Sequence, residues 1–428
     1  MGNIKSVCII GLGYVGLPLA CVCAEKGYTT YGFDVKKDIV DKTNSGISHI
    51  DDEWLKQHVK QVKGKIIATT DSSVIAKSEI VLICVPTPID KQYHPDLKPV
   101  VLSTESISKH LKKGHIIVLE STVFPGTVEE VMQPILEKSG LKAGKDFILA
   151  HCPERIDPGN KKWNVTNIPR VVGAIPKEKT KVVADFYRSI TSGEVIELSS
   201  IKAAEATKIM ENTFRDVNIA FVNEMAMSFD QLGIDITEVI KGASTKPFAF
   251  MPHYPGCGVG GHCIPVDPYY LIERAKTAGF SHNFLSLARE INNNMPKYTI
   301  TRLAEALNKI GKSVKGTKIT VLGVAYKGGV DDDRESPAYH IIDELKKLGA
   351  SLKIFDPHLI SKSTVKTLEE ALDADAIVIA TNHPEFKVIT PELLAKRGVK
   401  VIIDGKNMFD NFEAIKKAGI EYRGIGRS

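Results

Sequence analysis

The sequence predicts an α/β protein with two Rossmann-like, doubly wound parallel-sheet domains joined by a central helical domain with a long helix. Three observations carry this expectation. Short β-branched runs alternate with amphipathic segments from Ser6 to about residue 195 and again after Gly311, the pattern of a parallel sheet covered by helices. Between the two series, Ile201 to about Gly233 reads as one helical stretch stopped by a glycine. A Gly-x-Gly-x-x-Gly turn, Gly11 to Gly16, directly follows the first run. A chain of 428 residues also exceeds the roughly 250–300 at which single cores stop growing, and the expected domains are 1–196, 197–310 and 311–428.

In the first series VCIIG (7–11), TTYGFD (29–34), EIVLICVP (79–86), HIIVLEST (115–122) and FILAHCPE (147–154) read as strands ending in loops. Helical segments resume around 282–309. The second series places strands at KITVLGVAY (318–326), LKIFDPH (352–358), AIVIATNH (376–383) and VIIDGKN (401–407), with a helix from Ser336 to Leu348. FDPH echoes FDV, and AIVIATNHP echoes IVLICVPTP. The second series lacks the glycine turn, so it is not expected to hold a dinucleotide in the same way. A ligand is expected in a cleft between two such domains, floored by the helical connector.

Composition excludes several classes. The net charge is +5 with no long Lys/Arg run, which lacks the footprint of a nucleic-acid binder. Seven cysteines, an odd number without CxxC or zinc-ligand spacing, argue against a disulfide framework and against a metal site, and fit a cytoplasmic protein. The uncharged stretch Val7 to Ala24 is nearly long enough for a signal or membrane segment, but its three glycines and Pro18 read as strand, turn and helix; no membrane insertion is expected. Met1-Gly2-Asn3-Ile4-Lys5-Ser6 meets the loose acylation pattern, yet a strand that starts at once leaves no free arm. The sequon Asn164-Val165-Thr166 is expected to be idle.

The residues that carry chemistry fall into a few groups. Gly11, Gly13 and Gly16, with Tyr14 and Val15 between them, open a helix, so a pyrophosphate can approach the turn. Asp34 ends the next strand eighteen residues after Gly16, where a carboxylate accepts ribose hydroxyls and repels a 2′-phosphate; this favours NAD, with Lys36 and Lys37 the features that would tolerate NADP. Cys263 stands in Gly260-Gly261-His262-Cys263-Ile264-Pro265-Val266-Asp267. A free cysteine is often only a small buried hydrophobe, but the glycines from Gly256 to Gly261 suit a loop whose backbone approaches a ligand. Asp267 can orient or activate water beside the thiol, and Cys257 reads as a spacer. Lys208, Asn212 and Arg215 share one helical stripe. That stripe is either a solvated polar face or a lysine and amide that stabilise an oxyanion and depress the thiol pKa. Thr87, Thr122, Glu154 and Arg155 stand where strands meet loops, as caps or as ligand contacts. Tyr326, Lys327 and Arg334 flank the acidic Asp331-Asp332-Asp333 loop, which can equally be a salt-bridged surface turn.

Three successive blocks, GLGYVGLPLA with VPTP, AEATKIMENTFR with GGHCIPVDP, and GVAYKGGVDDDRESPA, together resemble the UDP-glucose/GDP-mannose dehydrogenase family along almost the whole chain. The resemblance implies oxidation of the C6 alcohol of a nucleotide sugar to a carboxylate in two hydride transfers to NAD. It implies that Cys263 captures the aldehyde as a thiohemiacetal that is oxidised to a thioester. Lys208 and Asn212 would polarise the C6 oxygen, and Asp267 and Glu154 would assist proton transfer and hydrolysis. Thr87, Thr122 and Arg334 resemble NAD contacts. Arg155, Ile156, Arg215, Tyr254, Gly260, Tyr326, Lys327 and Lys406 take the positions of UDP-sugar contacts, alongside Glu154, Lys208 and Asn212. A homodimer built on the long central helix is also implied.

Within the family, His262 resembles members that use N-acetylhexosamines, and Lys246-Pro247-Phe248-Ala249-Phe250-Met251-Pro252 resembles UDP-N-acetylglucosamine 6-dehydrogenases. UDP-N-acetylglucosamine is therefore the expected substrate, with UDP-N-acetylmannosamine or UDP-glucose the alternative. Three positions depart from the family pattern: Cys257 replaces a proline and could loosen the loop, Ile39 replaces a basic residue, and Lys406 replaces an arginine.

Overall fold

The computed structural model describes residues 4–90, 94–156, 160 and 162–427. The Met1-Gly2-Asn3 start of the acylation pattern lies outside the described residues. By contacts the chain divides into two compact units, residues 1–211 with 269–280 and residues 212–268 with 281–428.

In the first unit, β1 (Ser6–Ile10), β2 (Thr29–Phe33), β3 (Ile66–Thr69), β4 (Ile80–Ile83), β5 (Ile116–Leu119), β6 (Ile148–His151), β7 (Arg170–Ile175) and β8 (Val195–Glu197) form one sheet. Its order is 3-2-1-4-5-6-7-8, with every pairing parallel except the antiparallel β6–β7. The first six strands repeat the order of dinucleotide-binding sheets, in which ligands meet the carboxyl ends of the strands where the order reverses, here between β1 and β4. Val7 and Ile9 pack into the core on one face of the sheet, while Cys8 and Ile10 pack on the other. A strand buried on both faces reads as a continuous apolar run, which explains the uncharged start of Val7 to Ala24. That stretch is β1 followed by the helix Gly16–Glu25. Among the described residues no helix is long and apolar enough to cross a membrane.

In the second unit, β9 (Lys318–Leu322), β10 (Ser351–Phe355), β11 (Ala376–Ile379), β12 (Val401–Asp404) and β13 (Glu421–Gly424) form a fully parallel sheet in the order 10-9-11-12-13. This is the other common doubly wound order, 2-1-3-4-5, whose reversal lies between its first and third strands. The helix Pro337–Lys347 covers it, with the Ser336 side chain accepting from the Ala338 N–H as its N-cap.

The long helix runs from Ile201 to Leu232, and its 32 residues span about 48 Å at ~1.5 Å per residue. No glycine or proline interrupts it. It ends where Gly233 takes φ +68° and Ile234 N–H returns to Phe229 O at 3.0 Å, a closure that a side-chain-bearing residue would strain.

Candidate active site

The glycine turn is built as its spacing predicts. Gly11 has φ +87°, and a Cβ there would meet Cys84 O at 2.8 Å, at the end of β4. A Cβ on Gly16 would lie 1.8 Å from Gly11 O, so the helix can start against the turn only with glycine there. At Gly13 a Cβ would meet nothing within 4 Å, which leaves open space where a pyrophosphate would lie. Val15 is the N-cap position and offers no side-chain cap, nor is there an acidic residue in the first turn, so the helix N-terminus keeps its preference for an anion. Tyr14 stands beside the turn, partly exposed. Asp34 Oδ2 accepts the Leu12 N–H at 2.8 Å and Oδ1 the Lys36 N–H at 2.9 Å, so one carboxylate braces the turn and ends β2 with lone pairs to spare for ribose hydroxyls. These residues fit NAD.

Elsewhere in the first unit, Thr87 and Thr122 are half-buried on the loops after β4 and β5, and Tyr270 donates its hydroxyl to Thr87 O at 2.9 Å. Glu154 is buried, and its Oε1 accepts the N–H groups of Arg155 and Ile156 at 2.5 and 2.7 Å. Arg155 forks onto Glu211 of the long helix, at 3.2 and 2.5 Å, while Ile156 packs on the sheet core. Lys208 is buried on the long helix.

One helical turn before Lys208, Glu205 accepts the N–H groups of Gly126 and Val128 at 2.6 and 2.9 Å, tying the helix to the loop that carries Thr122. Burial pushes Glu205 up to about 7, against the two N–H groups that favour its charge. A carboxyl raised on folding contributes stability that is fully present below the unfolded value and is lost as pH rises through the folded one. Between pH 4.5 and about 7 the wild type is therefore expected to lose up to about 3 kcal/mol at ~1.4 kcal/mol per unit. In Glu205→Gln, denaturant titrations should show that slope flattened; an unchanged slope would assign it elsewhere.

In the second unit, Asn212 and Asp267 are both buried, and Asn212 Nδ2 donates to Asp267 Oδ2 at 2.5 Å. The stripe of the long helix is therefore not a solvated face at Lys208 and Asn212; Arg215, in contrast, is exposed. Cys263 lies in the turn just before the helix Asp267–Thr277, and its carbonyl accepts the Val266 and Asp267 N–H groups at 3.0 and 2.8 Å. The thiol is the single cysteine of the seven that is not fully buried. Asn212, Cys263 and Asp267 are thus brought together by one side-chain bond and one backbone turn.

On its Cβ side the glycine loop packs closely against the protein. A Cβ on Gly260 would meet Tyr326 Cβ at 2.7 Å, and one on Gly258 would meet Pro337 Cβ at 2.7 Å, so both positions need glycine for this packing. Cys257 does not loosen this loop. Its N–H donates to Gly405 O at 3.0 Å and its Sγ to Ala380 O at 3.4 Å, filling the core above the second sheet. Tyr254 is exposed.

Tyr326 and Lys327 follow β9 and Lys406 follows β12, all at carboxyl ends of the second sheet, where such sheets bind ligands. Arg334 Nε and NH2 fork onto Asp332 at 2.8 and 2.5 Å; burial raises Asp332, but this pairing holds it below the usual range. The second sheet copies the first turn. Gly323 N–H donates to Phe355 O at 2.8 Å as Gly11 N–H does to Phe33 O at 2.8 Å, and Asp356 Oδ2 accepts from Val324 and Ala325 N–H at 2.7 and 2.9 Å. Asp356 is fully buried, though, and its Oδ2 also meets His383 Nε2 at 3.0 Å. The carboxylate that keeps free lone pairs at Asp34 is consumed here, which explains physically why the echo need not hold a ribose. His358, His383 and Glu385 lie within metal-ligand reach of one another. His383 already spends Nδ1 on the Gly329 N–H and Nε2 on Asp356.

Family models match three segments: the NAD binding domain of the UDP-glucose/GDP-mannose dehydrogenase family at 5–191, its central domain at 202–294 and its UDP binding domain at 320–411. The chain belongs to this family. It is an NAD-dependent nucleotide-sugar dehydrogenase, of the class that takes a C6 alcohol to the uronate by four-electron oxidation. It is 37% identical to the UDP-N-acetyl-D-mannosamine dehydrogenase of Pyrococcus horikoshii, over 98% of this chain and 99% of that one. A solved structure of the UDP-D-ManNAc dehydrogenase of that organism superposes with a TM-score of 0.93 at 37% identity, over 99% of both chains. The UDP-N-acetyl-D-glucosamine 6-dehydrogenase of Pseudomonas aeruginosa is 38% identical over 94% of this chain and 97% of its own. These findings correct the expectation that the glucosamine branch stands out: relatives named for the mannosamine epimer are comparably similar and match more of the chain.

Several polar residues of this dehydrogenase escaped sequence reasoning. Glu205, Glu120, Arg170 and the buried amides Asn223 and Asn292 are spread over strands and helices in which no motif singles them out. Asn223 accepts the Gly256 N–H at 2.9 Å and donates to Asn292 Oδ1 at 2.9 Å, steadying the start of the glycine loop. The one available signal was a charged residue inside an otherwise apolar strand, as with Arg170 opening RVVGAI.

Proposed function

We propose that this dehydrogenase oxidises C6 of a UDP-N-acetylhexosamine to the uronate, with UDP-N-acetyl-D-mannosamine as the first choice of sugar. The observation that carries the covalent route is the junction of Asn212, Asp267 and the Cys263 turn. The relatives named for the mannosamine epimer support the sugar. A second reading, UDP-N-acetyl-D-glucosamine, is favoured by the Lys246 to Pro252 segment and by the Pseudomonas relative.

In this reading residues 1–196 take NAD and residues 311–428 take the UDP-sugar, flanking the helical segment 197–310. Bound NAD supplies hydride acceptance, once for each oxidation. Lys208 places an ammonium against the developing C6 oxyanion, and Asn212, held by Asp267, keeps its second amide hydrogen for the same oxygen. The Cys263 thiolate adds to the aldehyde carbon, so the reactive carbonyl stays bound as a thiohemiacetal and then as a thioester. Asp267 and Glu154 take up the protons released as the C6 hydroxyl and then the thiohemiacetal hydroxyl lose hydride, and as water attacks the thioester.

Initial rates with UDP-N-acetylmannosamine, UDP-N-acetylglucosamine and UDP-glucose test the sugar. The mannosamine epimer should show the highest kcat/KM, by roughly tenfold or more for a discriminating contact to the C2 acetamido group. A UDP-glucose preference of that size would overturn the acetamido reading.

A homodimer is supported by Met210, Phe214 and Phe221, exposed at 70%, 46% and 55% along one side of the long helix, a larger apolar stripe than single scattered residues make. Sedimentation is expected to give twice 46.9 kDa; a monomer at micromolar concentration would contradict it.

A further inference from the structure

A buried ionic cluster stands directly behind Glu154. Arg170, at the start of β7 and 1% exposed, places NH1 3.1 Å from Glu120 Oε2 and NH2 3.4 Å from Glu154 Oε2. Tyr187, fully buried, donates its hydroxyl to Glu120 Oε1 at 2.5 Å and lies with its ring 5.1 Å from the guanidinium. Arg170 Nε has no hydrogen-bond partner, so the guanidinium is held by its two terminal nitrogens, one on each carboxylate. Burying such a group is not needed for stability, since well-packed apolar residues often serve as well or better. Its geometry instead completes the hold on Glu154. The Arg155 and Ile156 N–H groups fix Oε1, and Arg170 fixes Oε2.

We propose that Arg170 is a positioning residue for thioester hydrolysis, locking the Glu154 carboxylate in the orientation that receives the proton of the attacking water. The inference rests on the reading of Glu154 given above. In the step it serves, water oxygen bonds to the thioester carbonyl carbon, the water proton passes to Glu154, the C–S bond breaks, and Cys263 leaves as thiolate with the uronic acid as product. The groups facing the cluster are Cys23, Cys84 and Cys152, whose thiols burial pushes upward, together with Tyr187, likewise raised by burial, and Glu120, which burial raises to about 7.

The test uses Arg170→Lys, which keeps the charge but loses the fork, and the double variant Arg170→Met/Glu120→Gln, which removes the charge together with its deeper partner and so preserves the balance that folding needs. Both should retain the rapid first phase of NADH formation and the KM for NAD and sugar. Steady-state uronate release should fall about tenfold, the loss for ~1.4 kcal/mol of positioning, while intact-mass spectrometry shows an acyl adduct on Cys263. Unchanged turnover without adduct, or equal loss in both phases, would make Arg170 merely structural. Wild-type enzyme run in parallel separates the two claims: no uronate from any UDP-sugar there overturns the functional reading and this inference with it.

Discussion

Cys263→Ser is expected to lower uronate formation by at least about a thousandfold, the scale seen when a nucleophile is removed from a site whose binding groups remain. The turn that carries Cys263 is held by backbone bonds to Val266 and Asp267, so the substitution leaves the fold untouched and removes only the thiol. Loss of covalent capture should leave the first oxidation as the only productive one. NADH yield then drops toward one per sugar, and a carbonyl reagent traps the free aldehyde. Full uronate production by the serine variant would remove the covalent route altogether.

Lys208→Met is expected to slow both oxidations, lowering kcat by about 10²–10³, as for loss of one oxyanion donor. The lysine is 8% exposed and the methionine has a similar length, so the change takes away charge without opening a cavity. Because the interaction forms chiefly as negative charge develops on the C6 oxygen, KM should move little. A large rise in KM at constant kcat, in steady-state kinetics against the UDP-sugar, would instead assign Lys208 to ground-state binding.

Much of the fold was legible because its strands are buried on both faces and so read as apolar runs, and because the first glycine turn has its steric reasons written locally at Gly11 and Gly16. The long helix was equally plain, since nothing interrupts Ile201 to Leu232 and Gly233 stops it. β3, β8 and β13 lie at sheet edges and are only partly buried, so they lack the continuous apolar run of the inner strands, and the helix beginning at Asp267 was hidden by the loop character of the residues before it. The site was legible as residue types but not as partners. Asn212 reads as a possible oxyanion donor, whereas its bond to Asp267 spans 55 positions. Cys257 reads as a spacer in a glycine-rich run, yet the space it fills is set by Ala380 and Gly405. Arg334 reads as a cofactor contact, while its fork is already on Asp332. The sugar epimer turns on the direction of the C2 acetamido group, a single contact that residue types do not reveal.

The most direct test of the four-electron covalent route is the amount of NADH formed per molecule of limiting UDP-N-acetylmannosamine, with UDP-N-acetylglucosamine and UDP-glucose measured alongside. Two NADH per sugar, with uronate as the product, is the predicted result. One NADH per sugar, with aldehyde released, would contradict it.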